Sequence, residues 1–435
     1  MKRDAWKLLE QWKDKKGRKP LLVIGARQVG KTYLIRKFAE ANFTNTVYIN
    51  CDKDSRLVPL FEQDYDVNRI LNGLRILSKQ TIVAGETCII IDEIQEVPRA
   101  LGSLKYFCED APQYHIIVAG SLMGIALHRG TSFPVGKVDT LKLLPMNFGE
   151  FLQAKGEDDL RQLLCTKDWD LIKVMKSQYI SLLREYYFVG GMPEAVFSYC
   201  TSGNINEVRD IQNNILLSYD NDISKHAPSN EAVKIRSVWN SIPSQLSKDN
   251  KKFVYGLLKG GARAKEYETA IEWLIDYGVV YKILRITKPI VPLKMYEDNS
   301  AFRLFVLDCG LFGAMSTTPP DQMLIGDNVF GEYKGAFTEQ YVLEQLKTIK
   351  DMPVYYWSNT SSSAELDFIV QKGSTIIPIE VKAEENLKAK SLKTYVDSNK
   401  GLRGLRLSMS DFRMQEWMDN VPLYAALQWL DDTYR

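Results

Sequence analysis

The sequence predicts an α/β protein of several domains, and three observations carry that prediction. First, up to about residue 150 short apolar runs alternate with helical stretches. Such runs are long enough for strands buried on both faces, the pattern of a parallel sheet flanked by helices. Second, residues 151–228 read as helix almost throughout, broken at "FVGGMPEA". Third, "MSTTPPDQ" at 315–322 is the clearest linker composition in the chain, and a second alternation of helix and strand follows it. The expected boundaries are 1–150, 151–228, 229–315 and 323–435.

Taken in order, "PLLVI", "TVYIN", "TCIIID" and "YHIIVAG" are the strand candidates of the first segment. Residues 229–315 hold helices and then "VVYKILRI" and "RLFVLD". In the last segment a helix, "GAFTEQYVLEQLKTI", precedes the strand candidates "VYYW", "LDFIV" and "IIPIEV". With 435 residues a sizeable core is available. The net charge of +2 announces no polyanionic partner, so any nucleic-acid surface must be local. No apolar run has membrane-spanning length and the N-terminus lacks a signal-peptide core, so the expected address is cytoplasmic.

Six widely spaced cysteines with no CxxC pair read as reduced core residues. The three histidines show no ligand spacing. Chemistry is therefore expected from carboxylates, lysines and backbone amides.

The stretch Gly25, Ala26, Arg27, Gln28, Val29, Gly30, Lys31, Thr32 fits G-x-x-x-x-G-K-[ST], and its context is what that motif needs. An apolar strand feeds it and an amphipathic helix leaves it. Glycines let the backbone curl so that N–H groups point at phosphates beside a positive helix terminus. Lys31 is expected to neutralise β/γ charge, and Thr32 to offer its hydroxyl to Mg²⁺. ATP with Mg²⁺ is the expected ligand.

"CIIIDEIQEVPRA" ends a buried strand in Asp92 and Glu93. As a metal-holding acid and a water-orienting neighbour, the pair completes the nucleotide site; as two acids at a helix N-terminus, it is structural. Ser121 closes the next strand, either as a γ-phosphate contact or as a helix N-cap. Arg129 follows, as an arginine finger or a solvated side chain.

The order of P-loop, Asp92–Glu93 and Ser121, followed by "LLPMNFGEFL" and "YYFVGGMPEAV", resembles the prokaryotic AAA+-type ATPases whose C-terminal half is a domain of unknown function. "GGMPEAV" and "DCGLFGAM" are the most specific phrases. The resemblance implies an ATPase core over 1–150, a helical lid over 151–228 and a winged-helix-like module over 229–315. Where that family often has Gly-Arg-Val, this chain has Gly136, Lys137 and Val138, and a lysine does not reproduce a forked arginine contact.

"KFVYGLLKGGARAKEYETAIEWLIDYGVVYKILRI" reads as helix, glycine turn, helix and strand, with Lys251, Lys252, Lys259, Arg263 and Lys265 around the turn. A DNA-reading module and a solvated face on a packing domain both fit. At the C-terminus, Glu380 and Lys382 lie two apart on one strand face, Asp367 faces away from Phe368, and Glu339 lies on the apolar side of its helix. Convergence of Glu339, Asp367, Glu380 and Lys382 suits Mg²⁺ held by Asp367 and Glu380, with the lysine near a scissile phosphate. The constellation resembles the PD-(D/E)xK, restriction-endonuclease-like core. A plain Glu380–Lys382 pair is the alternative. Expected partners are ATP, DNA or a protein, and further copies of the chain, with no membrane.

Overall fold

In the computed structural model the chain divides into two compact units. One comprises residues 2–144 with 276–279, the other 145–275 and 280–435 together with Met1. The described residues are 1–121, 133–248, 250–320, 324, 334–359, 364–385 and 389–431.

The first unit is built on a parallel five-stranded sheet of order β2-β3-β4-β1-β5. Its strands are β1 (Leu21–Ile24), β2 (Asn45–Asn50), β3 (Thr87–Asp92), β4 (His115–Gly120) and β5 (Asp139–Lys142). Every residue of β3 and β4 is buried, which is why those runs show no polar alternation. β5 is exposed at alternate positions and has one buried apolar residue, so its sequence carried little strand signal. Helices α1 (Ala5–Asp14), α2 (Lys31–Asn42), α3 (Leu57–Glu62), α4 (Val67–Ser78) and α5 (Pro98–Asp110) belong to the same unit. The start of α4 is fixed by Asp66, whose carboxylate accepts from the N–H groups of Asn68 and Arg69. A core of Ile49, Ile89, Ile91, Leu104, Phe107 and their neighbours packs one sheet face.

The second unit begins with helices α6 (Phe148–Ala154), α7 (Asp158–Thr166), α8 (Trp169–Val174), α9 (Lys176–Val189), α10 (Pro193–Ser202), α11 (Ile205–His226) and α12 (Ala232–Leu246). "PMNFGEF" is explained by a capping box. Asn147 Oδ1 accepts from the Glu150 N–H at 2.8 Å, and Glu150 Oε2 accepts from the Asn147 N–H at 3.0 Å.

A glycine-rich turn leads into α13 (Ala264–Tyr277). The expected first helix of that pair is a single 3₁₀ turn, Tyr255–Leu257, because Gly256 and the following glycines oppose a longer helix. Then β6 (Val280–Ile286) and β7 (Glu297–Val306) form an antiparallel pair. They do not stand apart as a wing. Both continue an eight-stranded sheet of order β12-β13-β11-β10-β9-β8-β6-β7. Residues 229–315 therefore share one sheet with 323–435, and the Pro-containing stretch at 315–322 does not separate compact units.

The remaining strands are β8 (Val354–Ser358), β9 (Glu365–Lys372), β10 (Thr375–Val381), β11 (Gly404–Ser408), β12 (Arg413–Met414) and β13 (Met418–Pro422). Helix α14 (Cys309–Met315) follows β7, and α15 (Lys334–Thr348) precedes β8. Residues 336–346 of α15 are all buried, so its polar residues need partners within the fold. Gln340 answers this at the β7 edge: Oε1 accepts from the Val306 N–H at 3.1 Å and Nε2 donates to the Val306 carbonyl at 2.7 Å. The side chain pairs with the strand as another strand would. Small helices α16 (Lys390–Ser398) and α17 (Ala426–Leu430) complete the described chain.

Candidate functional site

In a parallel sheet all strands end on one side. Gly25 follows β1, Glu93 follows β3 and Ser121 follows β4, which lies between them, so the three expected contributors share one sheet edge. The loop from Gly25 to Gly30 needs its special residues. Gln28 and Gly30 have φ of 67° and 89°. A Cβ on Gly25 would sit 2.2 Å from the Leu143 carbonyl oxygen. That approach admits glycine alone.

Lys31 opens α2 and is buried. Its ammonium donates to the carbonyls of Gly25 at 2.9 Å and Ala26 at 2.7 Å, so the loop's own backbone holds the charge. Burial lowers its pKa to about 8, opposed by the nearby charges of Glu93 and Asp92 and reinforced by Arg27. Beside it, Thr32 Oγ1 donates to Asp92 Oδ2 at 2.7 Å. The same oxygen accepts from the Tyr48 hydroxyl at 2.9 Å, and Asp92 Oδ1 accepts from the Glu93 N–H at 3.0 Å. A carboxylate with three donors at the end of an apolar strand is held in a fixed position. Hard oxygen donors on Thr32 and Asp92, with a lysine beside them, fit Mg²⁺ and a polyphosphate.

Glu93 has a left-handed backbone, φ 50°, and its Oε2 accepts from Gln95 Nε2 at 2.6 Å. Ser121 is buried at the end of β4. Lys137 pairs with Glu109 at 2.7 Å on an exposed surface, where its charge is answered locally. Arg129 lies outside the described residues. Tyr48 is the contributor that sequence reading missed. Its signal was slight: an aromatic near the end of β2, the strand next to β3.

Of the C-terminal candidates, Glu380 meets Lys382, and Asp367 reaches the backbone of the same strand. Glu380 Oε1 pairs with the Lys382 ammonium at 2.7 Å, and Asp367 Oδ2 accepts from the Val381 N–H at 2.8 Å. Glu339 is buried on α15, as its helical face predicted, but its partners were not foreseen. The Lys251 ammonium donates to Glu339 Oε1, and Arg303 Nη1 lies 3.6 Å from Oε2. Lys251, expected on a basic surface, therefore turns inward. Arg303, in the middle of β7, is fully buried; it pairs with Glu365 at 2.8 Å and lies over the Tyr356 ring. Its position inside "AFRLFVL" was the sequence signal, since a charge within an apolar strand demands a buried partner. Burial and the Asp367 charge push the Glu339 carboxyl upward, while Lys251 and Arg303 pull it down.

Among the described residues the acid or thiol ligand atoms that gather within 4.8 Å are those of Asp308, Cys309 and Glu344, in place of the expected acids. That group is structural. Asp308 caps α14 and accepts backbone N–H groups from Gly191 and Leu311, and burial keeps the Cys309 thiol protonated. No helix among the described residues is long and apolar enough to cross a membrane.

Residues 17–152 match the model described as an AAA domain. This part of the chain is similar to AAA domains and carries the P-loop sequence from Gly25 to Thr32. Beyond the AAA domain, residues 180–322 and 334–425 match two models described as domains of unknown function (DUF8612 and DUF4143). No curated protein matches the chain. Among solved structures, it is similar to the Walker-type ATPase paby2304 of Pyrococcus abyssi at 15% identity, covering 72% of this chain and 95% of that one, with a TM-score of 0.45. It is also similar to the ORC1 protein of Aeropyrum pernix, solved in complex with DNA, at 14% identity over 72% and 91% of the two chains, with a TM-score of 0.27. Likeness at that level bears on neither substrate nor partner.

Proposed function

We propose that the chain binds and hydrolyses ATP with Mg²⁺ and that its nucleotide state acts on the second unit. The observation that carries this reading is the hydrogen bond from Thr32 to Asp92 beside the buried Lys31. On ATP binding, Lys31 leaves the Gly25 and Ala26 carbonyls for the β/γ oxygens, and the amides of residues 25–32 wrap the phosphates. Mg²⁺, when bound, neutralises developing phosphate charge, with Thr32 and Asp92 as its holders in the protein. Glu93 orients the attacking water once Gln95 releases it, and Ser121 contacts the γ-phosphate. Phosphate release from ATP by the purified wild-type chain, absent in Lys31→Ala, tests the reading; equal release by both would remove it.

In the first version of this reading, residues 323–435 form a nuclease-like domain that acts on or binds DNA. In the second, the protein is an ATP-dependent switch, and that domain is an inactive platform for DNA or a protein. The pairing of Glu339 with Lys251 and Arg303 favours the second. Plasmid and linear DNA incubated with the protein, ATP and Mg²⁺ or Mn²⁺ should remain uncut. Nicking that disappears in Asp367→Ala would restore the first version. Binding to DNA should weaken steeply with salt, because phosphate contacts release counterions. A salt-insensitive interaction would point to a protein partner.

A further inference from the structure

Three acids of the second unit, Glu339, Glu365 and Asp367, have cations near them that come from outside their own helix and strand. Glu339 is carried by α15, Glu365 and Asp367 by β9, and Glu380 by β10. Lys251 comes from the segment after α12, Arg303 from β7, Lys382 from the end of β10, and Arg406 from β11, where it is the register neighbour of Glu380. Four carboxylates thus lie among two lysines and two arginines.

One oxygen of each acid is already engaged by a donor. Glu339 Oε1 accepts from Lys251, Glu365 Oε2 from Arg303, Asp367 Oδ2 from the Val381 N–H, and Glu380 Oε1 from Lys382. Glu339 Oε2 and Glu380 Oε2 are buried without a hydrogen-bond partner. Magnesium and manganese require several hard oxygens around one point and an excess of negative charge. Here the oxygens do not gather within ligand distance, and the charge is balanced.

Lys251 is built into that place. Its side chain is 14% exposed. Two and three residues further on, the Phe253 N–H donates to the Phe302 carbonyl at 2.8 Å, and Val254 exchanges two hydrogen bonds of 3.0 Å with the Gln245 amide. These bonds lock the segment to α12 and β7. The Lys251 charge interacts with Asp367 as well as with Glu339.

We propose that Lys251, with Arg303, occupies beside Glu339 and Asp367 the place a divalent cation would take, so that the cluster takes no metal while Lys251 is there. The Mg²⁺ implied by the nuclease-like resemblance does not fit these residues. A doubly charged ion entering beside the ammonium and guanidinium would meet repulsion in a low-dielectric site. Removing the ammonium alone leaves the acids in excess and frees Glu339 Oε1.

The test is Mn²⁺ binding to the full-length, nucleotide-free protein, followed by electron paramagnetic resonance of the free ion. Four proteins are compared: wild type, Asp367→Asn, Lys251→Met and the double variant, each checked for folding by circular dichroism. Wild type and Asp367→Asn are expected to bind Mn²⁺ equally weakly. Lys251→Met is expected to bind at least about tenfold more tightly, an increase that the double variant loses. A wild-type site that Asp367→Asn abolishes overturns the proposal, as does a folded Lys251→Met that gains no site. Should Lys251→Met fail to fold, the wild-type and Asp367→Asn comparison decides alone: equal binding supports the proposal and a difference overturns it. Nucleotide turnover at the P-loop enters none of these outcomes, so the ATPase reading stands or falls separately.

Discussion

The backbone N–H of Gly191 donates to Asp308 Oδ2 at 2.5 Å, joining two segments 117 residues apart. Those segments are "GGMPEAV" and "DCGLFGAM", the most family-specific phrases in the chain, and they meet in the core of the second unit. Around the bond the backbones approach closely. A Cβ on Gly190 would lie 2.2 Å from Asp308 Oδ1, one on Gly191 2.1 Å from the Met146 carbonyl oxygen, and one on Gly310 2.4 Å from that of Val189.

Gly190→Ala should therefore destabilise the protein by roughly 3 kcal/mol or more, combining a clash with a φ of 73° that alanine resists. Urea unfolding of the second unit, followed by its tryptophan fluorescence, measures this. A loss below about 1 kcal/mol would mean that the contact yields readily.

Lys31→Ala should weaken ATP binding by at least about 10²-fold, since two or more charge-assisted hydrogen bonds to phosphate disappear. Calorimetric titration with a non-hydrolysable analogue and Mg²⁺ gives the comparison.

Nucleotide binding should take up a proton near pH 8 to 9. In the free protein Lys31 is depressed to about 8, and phosphates favour its charged form. Affinity is therefore full below about pH 8 and falls up to ~tenfold per unit above it. For folding the sign is opposite: a pKa below its unfolded value of 10.5 gives a contribution present above pH 10.5 and lost as pH falls through 8. Titrations in two buffers of different ionisation enthalpy count the proton. No buffer dependence at pH 8.5 would contradict the assignment.

Glu93→Gln should retain ATP binding and lose roughly 10²-fold or more of turnover, because the amide cannot accept the water proton. Steady-state phosphate release together with nucleotide affinity separates the two effects, and normal turnover would remove Glu93 from its assigned role.

Tyr48→Phe removes one of two donors to Asp92 Oδ2 and leaves Thr32 in place. The expected cost is about 1 kcal/mol of stability in the nucleotide-free protein, read by thermal unfolding. A larger loss of stability than this would indicate that Tyr48 also packs the strand end.

The nucleotide loop was legible because its requirements are local. A strand, a glycine turn and a helix within twenty residues place Lys31 and Thr32, and an apolar run ending in acids places Asp92 and Glu93. Strands β1 to β4 and β6 to β10 were likewise visible as apolar runs. β5, β11, β12 and β13 were not, since each is short, partly polar or dependent on its neighbours for burial. The winged-helix reading met a 3₁₀ turn where a helix was expected, and its strands belong to the larger sheet.

By itself the sequence determined the phosphate loop, the parallel sheet and the burial of Glu339, all consequences of local spacing and helical or strand periodicity. Only the tertiary structure decided which charges meet: that Tyr48 shares Asp92 with Thr32, and that Lys251 and Arg303 reach Glu339 from segments 88 and 36 residues earlier in the chain. The physical reason is that periodicity reports which face of an element is buried. The partner of a buried charge is set by how distant elements pack, and no local pattern encodes that.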